Sequence, residues 1–279
     1  MGSFLVAGRR DSTTAKWRNR GRGAAVVQTV RLVAFQDCPL SPPGDLPNSD
    51  GMAFRHHFKR DHPYSPGEEI THAATHGLGA ALSVAALIAL VLLAMERGTT
   101  TAVVAVAIYG SALIVLFLSS TIYHSMPQGR VKDAFLVADH CAIYLLIGGT
   151  YTPFVLLVLP PALGWTVFGG VWGLAAAGIL LKLFDSYVRA LSWESAVSVV
   201  LYLVMGWLGL IVAGPELLDG LPTGGLAWLL AGGVLYTLGV GFYVWRRLRF
   251  NHAIWHCTVL LAAVAHFIAV YGFVLPEKV

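Results

Sequence analysis

The sequence predicts an all-α membrane protein, a polytopic bundle of seven transmembrane helices. Only 12% of the 279 residues are charged and 56% are hydrophobic, whereas soluble domains carry about 25% charged residues. Apolar runs of about 20 residues, enough to cross a bilayer core of about 30 Å, recur through most of the chain. Barrel strands would be short and alternating. Helices are therefore predicted, because a spanning segment must satisfy its own backbone polar groups.

Residues 1–65 differ from the rest and are expected to form a disordered cytoplasmic extension. They begin with an arginine-rich, acid-poor stretch and continue with a proline-rich one from Pro39 to Pro47. No apolar run there could span a bilayer, and no signal-peptide pattern is visible. A transit peptide is a less favoured interpretation. A further hypothesis is that translation begins at Met52, which predicts that peptides from residues 1–51 are absent from the native protein.

Seven apolar segments follow and are expected to form one membrane domain over residues 66–279. The predicted spans are 72–95, 101–125, 134–158, 162–183, 192–213, 225–246 and 252–274. Pro153 falls inside the third segment and should kink it. Gly169 and Gly173 in the fourth have the spacing that permits close helix approach. The other prolines near the segments are expected at helix ends: Pro127, Pro160, Pro161, Pro215 and Pro222.

The basic residues predict the orientation of the bundle. The net charge of +4 could suggest a nucleic-acid partner, but these residues sit in short loops, where they report topology. One side holds Arg55, Lys59, Arg60, Arg130, Lys132, Lys182, Arg189, Arg246, Arg247 and Arg249. The other side offers only Arg97 and Lys278. The N-terminus is therefore expected in the cytoplasm and the C-terminus outside, in a multi-pass protein of the cell membrane.

Polar residues recur at the segment ends that are predicted to face the cytoplasm. Ionisable groups inside membrane segments are costly, so each is a candidate functional residue. Two pairs and one single residue stand out: Ser120 and His124 close the second segment, Asp139 opens the third, and His252 and His256 open the seventh. Residues distant in sequence are thus predicted to lie at one depth.

The spacing of these residues indicates a zinc site. His252 and His256 are four positions apart, so they share a helix face and can chelate one ion. If the second and seventh helices are neighbours, His124 completes a three-histidine set, and such a set with a vacant fourth position is typical of catalytic zinc. Asp139 is expected to hold the attacking water and take its proton, with direct ligation as the alternative.

A histidine pair of this spacing on one helix is more often a packing or interfacial feature. Two pairs and an aspartate on three segments at one depth favour the metal site over that alternative. The remaining histidines of the membrane segments are placed outside the ligand set. His72 and His76 are interpreted as interfacial, His140 as facing a neighbouring helix or the interface, and His266 as buried with its hydrogen bonds satisfied.

The motifs Ser120-Thr-Ile-Tyr-His124, Asp139 and His252-Ala-Ile-Trp-His256 resemble the progestin and adipoQ receptor family, whose bacterial branch is called haemolysin III. The stretches 69–77 and 148–153 resemble that branch too, and the likeness covers about residues 65–275. The resemblance implies that His124, His252 and His256 bind zinc. It also implies that Asp139 contacts the zinc-bound water and that Ser120 lies beside the metal.

The resemblance leaves three functions to compare. The family is similar to alkaline ceramidases, which favours a zinc-dependent hydrolase of an amide-linked membrane lipid, with Asp139 as general base and Ser120 as a donor to the oxyanion. Bacterial members are described as cytolysins, but a secreted toxin should carry an export signal. A membrane sensor or receptor with structural zinc is the third hypothesis, favoured by direct ligation through Asp139.

Overall fold

The computed structural model describes residues 64–188 and 194–275, with side chains excluded at 187–188 and 194–195. Within these ranges the chain is helical, and its seven helices are long and apolar enough to cross a membrane, which confirms the predicted fold class. They are α1 (Pro66–Glu96), α2 (Thr100–Ser125), α3 (Arg130–Leu157), α4 (Pro161–Val188), α5 (Glu194–Gly220), α6 (Thr223–Val244) and α7 (Asn251–Ala269). A π-helical turn, Val270–Val274, continues α7.

Part of the predicted extension and several of the basic residues used for orientation lie outside the described residues. This applies to positions 1–63 with Arg55, Lys59 and Arg60, and also to Arg189 and Lys278. The disorder of the extension and the cytoplasmic location of the N-terminus therefore stay predictions.

Helix α1 begins six residues before its predicted start, and this difference places a carboxylate in the bundle. The side chain of Ser65 accepts from the backbone N–H of Glu68, whose carboxylate in turn accepts from the Ser65 N–H, and Pro66 occupies the first helical position. A capping box of this kind starts a helix without any contribution from hydropathy. The apolar run alone missed this turn, which carries Glu69.

The prolines fall at helix ends with two exceptions. Pro153 lies inside α3 as predicted. The predicted end of the fifth span at residue 213 coincides with a kink, because α5 consists of two helical stretches that meet at Ala213, and the second contains Pro215 and continues to Gly220. A non-helical residue, Ala213 (φ −129°, ψ 26°), precedes Pro215 and marks the kink. Proline removes one backbone hydrogen bond and crowds the carbonyl four residues earlier, so the regular helix is interrupted here.

The spacing of Gly169 and Gly173 is not used for a close helix contact among the described residues, because a Cβ at either position would meet nothing within 4 Å. Tight contacts instead surround α2. A Cβ on Gly149 of α3 would lie 2.6 Å from the Cβ of Ala112, and one on Gly110 would lie 2.6 Å from Leu87 of α1. Small residues there let the backbones pack closely, as membrane helices require.

The alternation of helices brings four helix ends together: the starts of α1, α3 and α7 and the end of α2. Helix α2 packs between α1 and α3, and α7 packs against α1 and α6. Side chains of α2 also reach α7, since the Tyr109 hydroxyl donates to the Ala263 carbonyl at 3.5 Å. Side chains of α2 and α7 are therefore close enough to form one site, as the predicted three-histidine set requires.

Candidate metal centre

Three histidines meet at this end of the bundle. One ring nitrogen from each of His124, His252 and His256 can be chosen so that all lie within 4.8 Å of one another. The three residues are only 3%, 8% and 1% exposed. His124 belongs to the last turn of α2, whereas His252 and His256 occupy successive turns on one face of α7. The structure thus brings together the three predicted ligands, in a donor set that suits zinc.

The other two histidines of this cluster come from α1, and the prediction that they are interfacial is wrong. His72 is 0% exposed and His76 is 3% exposed. The His72 ring lies 4.7 Å from the ring of His124 and 4.8 Å from that of His252, between centroids. His72 and His76 are four residues apart, which is the same spacing that indicated His252 and His256 as a metal-binding pair.

Glu69 is a functional candidate that the sequence interpretation missed. Its Oε2 accepts a hydrogen bond from Nδ1 of His124 at 2.6 Å, and its Oε1 accepts one from Nζ of Lys132 at 2.8 Å. Glu69, His72 and His124 form a second group whose ligand atoms lie within 4.8 Å of one another. The signal for this residue was the helical spacing of Glu69, His72 and His76, which share one face of α1.

Asp139 and Ser120 lie beside the histidines without joining either metal-capable group of the described residues. Both line the same cavity as His252 and His256. Ser120 is fully buried one turn before His124, and the Asp139 carboxyl lies next to its hydroxyl. Their placement allows a role in handling water or an oxyanion, and that role stays a prediction.

Two histidines lie away from the three-histidine group. His140 lines the cavity, and its carbonyl accepts a hydrogen bond from the Tyr202 hydroxyl at 3.0 Å. His266 is buried in α7, and its Nε2 donates to the carbonyl of Leu229 in α6 at 3.1 Å. His266 is therefore buried and hydrogen-bonded through Nε2 as predicted, but its Nδ1 is buried without a hydrogen-bond partner among the described residues, so its hydrogen bonds are satisfied only in part.

A cavity of about 150 Å³ extends from the histidines into the bundle as far as His266. Beyond the histidine end its walls are mostly apolar and aromatic, from α3, α5, α6 and α7. Gly206 of α5 and Thr237 of α6 line this cavity and are also exposed. The cavity therefore reaches the outer surface between α5 and α6, where Nε1 of Trp207 donates to Oγ1 of Thr237 at 3.1 Å.

Other proteins are similar in sequence to this chain over the whole region that contains the metal centre. The family model for haemolysin-III related proteins matches residues 64–267, which include every candidate residue of the centre. Hemolysin-3 of Bacillus cereus is 47% identical over 75% of this chain and 93% of its own length. The Hemolysin-3 homolog of Bacillus subtilis is 43% identical over 73% of this chain and 92% of its own.

An animal protein is also similar, at greater distance. The human monocyte to macrophage differentiation factor is 31% identical over 60% of this chain and 68% of its own length. The bacterial and animal matches together confirm the resemblance that the motifs predicted. Combined with the seven apolar helices, they show a multi-pass membrane protein. The chain belongs to the haemolysin-III related family.

Proposed function

We propose that this protein is a zinc-dependent hydrolase that cleaves the amide bond of a membrane lipid. The observation that carries the proposal is that three buried histidines meet beside a mostly apolar cavity, which two of them, His252 and His256, line. Three imidazoles that leave one coordination position vacant are typical of catalytic zinc. The orientation predicted from the basic loops would place this head at the cytoplasmic face of the cell membrane.

The residues around the histidines suit the steps of amide hydrolysis. A bound zinc ion supplies a Lewis acid and lowers the energy needed to deprotonate a water molecule. Asp139 takes the proton of the attacking water, whose oxygen forms the new bond to the acyl carbon. Ser120 donates a hydrogen bond to the oxyanion that develops on the former carbonyl oxygen. The C–N bond then breaks, and Asp139 returns its proton to the amine, which leaves together with a fatty acid.

The cavity supports a lipid as the substrate. Beyond Ser120 and Asp139 the cavity is lined by side chains such as Leu146, Ile147 and Val259. These apolar side chains favour the binding of an acyl chain over the binding of a polar group. The opening beside Gly206 and Thr237 faces the lipid side of α5 and α6. An amide-linked lipid could therefore enter from the bilayer with its amide end near the histidines.

The experiment compares purified wild-type protein with a His252→Ala/His256→Ala variant in lipid nanodiscs. We expect about one zinc per chain and release of fatty acid from ceramide by the wild type, and neither by the variant. Leu261→Ala is the control, because it changes a residue of the same helix that is exposed and lies outside the cavity lining. Equal release by the double variant would exclude the proposed hydrolase.

A sensor or receptor with structural zinc is the second candidate, and the position of His72 favours it. Its ring centroid lies 4.7–5.2 Å from those of the three proposed ligands, so a fourth imidazole could close the coordination sphere. Zinc retained by His72→Ala protein, together with lipid cleavage, would favour the hydrolase. Zinc bound through four histidines in an inactive protein would favour the sensor.

A cytolytic role is suggested by the name of the bacilli proteins alone. It predicts ion conduction by purified protein in planar bilayers. The same double-histidine variant separates this possibility from the hydrolase, since conduction through a pore would not require the zinc ligands.

A further inference from the structure

Three helices are joined by one carboxylate at the metal centre. Glu69 belongs to α1, His124 to α2 and Lys132 to α3, and the two hydrogen bonds of 2.6 Å and 2.8 Å occupy different oxygens of the same carboxylate. All three are shielded, since the side chains of His124, Lys132 and Glu69 are 0%, 5% and 18% exposed. Charge-assisted bonds of this length are about twice as strong as neutral ones.

The position of Lys132 argues against direct metal binding by the Glu69 carboxylate. The Nζ of Lys132 also donates to the Met126 carbonyl at 3.2 Å and lies 4.9 Å from the centroid of the Tyr123 ring. The ammonium is therefore fixed against the carboxylate by several contacts. A metal ion bound to Glu69 would have to share the carboxylate with a cation that is already there. The second metal-capable group, Glu69 with His72 and His124, is thus disfavoured as a cation site.

The hydrogen bond to Glu69 also selects which ring nitrogen of His124 is available. A carboxylate can only accept, so the proton lies on Nδ1 and Nε2 keeps its lone pair. His256 has the same arrangement, because its Nδ1 donates to the backbone carbonyl of His72 at 3.3 Å. Helix α1 thus supplies acceptors to ligands from two other helices, and both ligands present Nε2 for coordination.

We infer that Glu69 is a positioning residue of the metal centre, which holds His124 through Nδ1 and is itself held by Lys132. The inference rests on the proposed zinc site and not on the proposed hydrolysis. Carboxylate partners of metal-bound histidines fix the tautomer and the ring orientation, and their loss lowers metal affinity about 10- to 100-fold. Glu69 therefore contributes to zinc affinity without contacting the metal.

The test measures the affinity of purified protein for zinc by competition with a chelator, and the absorption spectrum of the cobalt-substituted protein. Glu69→Gln should weaken zinc binding about 10- to 100-fold and leave the cobalt spectrum tetrahedral and unchanged in shape. Glu68→Gln is the matched control, since Glu68 lies next in sequence, belongs to neither metal-capable group of the described residues and caps the helix through contacts that glutamine also makes. Its affinity should equal that of the wild type.

Removal of Glu69 alone leaves the Lys132 ammonium buried, which could weaken folding. The double variant Glu69→Gln/Lys132→Met removes that charge and should bind zinc as weakly as Glu69→Gln, because the lysine acts only through the carboxylate. Thermal unfolding in excess chelator should be the same for the double variant and the wild type. Wild-type affinity in both variants, or a changed cobalt spectrum that marks Glu69 as a ligand, would overturn the inference.

The test of Glu69 and the test of the proposed lipid hydrolysis can fail independently. Wild-type protein that binds zinc but cleaves no lipid would contradict the hydrolase, while the affinity comparison would still decide the role of Glu69. Wild-type protein that binds no zinc would overturn both.

Discussion

The imidazole ring of His76 is stacked on that of His256, with ring centroids 3.5 Å apart and planes inclined by only 9°. Phe117 of α2 meets the His76 ring edge-on at 5.0 Å. The ring of His256 is thereby held from α1 by a flat surface, in addition to the hydrogen bond at its Nδ1. His76 is therefore part of the support of the metal centre, although neither metal-capable group of the described residues includes it.

Replacement of His76 tests this support. His76→Ala should lower the zinc affinity several-fold, because His256 gains rotational freedom that it must lose on binding. His76→Phe keeps a flat ring at this position and should stay closer to the wild type. The measurement is chelator competition on the purified proteins. An equal loss with phenylalanine and with alanine would show that a flat ring is not sufficient and that the imidazole acts through its nitrogens.

Asp139→Asn separates proton transfer from metal binding. Asparagine has nearly the same shape but cannot accept the proton of the attacking water, so lipid cleavage should fall about 10²- to 10⁴-fold. Zinc content should stay near one per chain, because Asp139 belongs to neither metal-capable group of the described residues. Both quantities are measured on one preparation. Loss of zinc together with activity would instead identify Asp139 as a ligand.

Ser120→Ala tests the proposed hydrogen bond to the oxyanion. Removal of a single oxyanion donor costs about 10²- to 10³-fold in kcat, and we expect a loss of this order with little change in KM. Ser119→Ala is the control, because Ser119 is also buried and its hydroxyl already donates to the Leu116 carbonyl at 3.0 Å. Equal kcat values for both variants would contradict the assigned role of Ser120.

Most of the fold could be predicted from the sequence, because the bilayer imposes a simple rule on segment length and polarity. The errors occur where that rule carries no information. The Ser65–Glu68 capping box begins α1 before the apolar run does. Beyond the predicted end of the fifth span at residue 213, a second helical stretch that contains Pro215 continues to Gly220. In both cases local hydrogen bonding, rather than hydropathy, sets the helix boundary.

Only part of the candidate site could be predicted from the sequence. His124, His252 and His256 carry a recognisable spacing, and the structure brings them together. Glu69 has no such spacing relative to His124, since its partner is 55 residues away on another helix. Helix packing alone shows which faces meet, and this information is absent from a single sequence.

A glycine series tests the packing around α2. Gly149→Ala would place a Cβ 2.6 Å from that of Ala112, and such overpacking should cost about 1–3 kcal/mol. Gly169→Ala meets nothing within 4 Å and should leave stability unchanged or raise it slightly, through higher helix propensity. The check is the thermal unfolding of both variants in the same detergent. Equal destabilisation would show that backbone flexibility matters more than contact.

The orientation of the bundle is tested by cysteine labelling. In a variant without native cysteines, Glu96→Cys places a thiol at the last residue of α1 and Gln128→Cys places one in the loop after α2, so the two exposed thiols flank α2 at its opposite ends. An impermeant maleimide added to intact cells should label only Glu96→Cys, because the basic residues predict that Gln128 faces the cytoplasm. Permeabilised cells should show labelling of both. The reverse pattern in intact cells would place the histidines at the outer face.

The cavity opening is tested by filling it. A Cβ on Gly206 would meet nothing within 4 Å, and this residue lines the cavity beside α6, so Gly206→Trp should insert an indole where an acyl chain would pass. We expect normal zinc content but slower cleavage of long-chain amides, whereas a short-chain amide should be affected less. Gly170→Trp is the control, because Gly170 also has open space and lies outside the cavity lining. If both tryptophans slow long and short substrates equally, the route between α5 and α6 is wrong, because only a blocked route makes the loss depend on chain length.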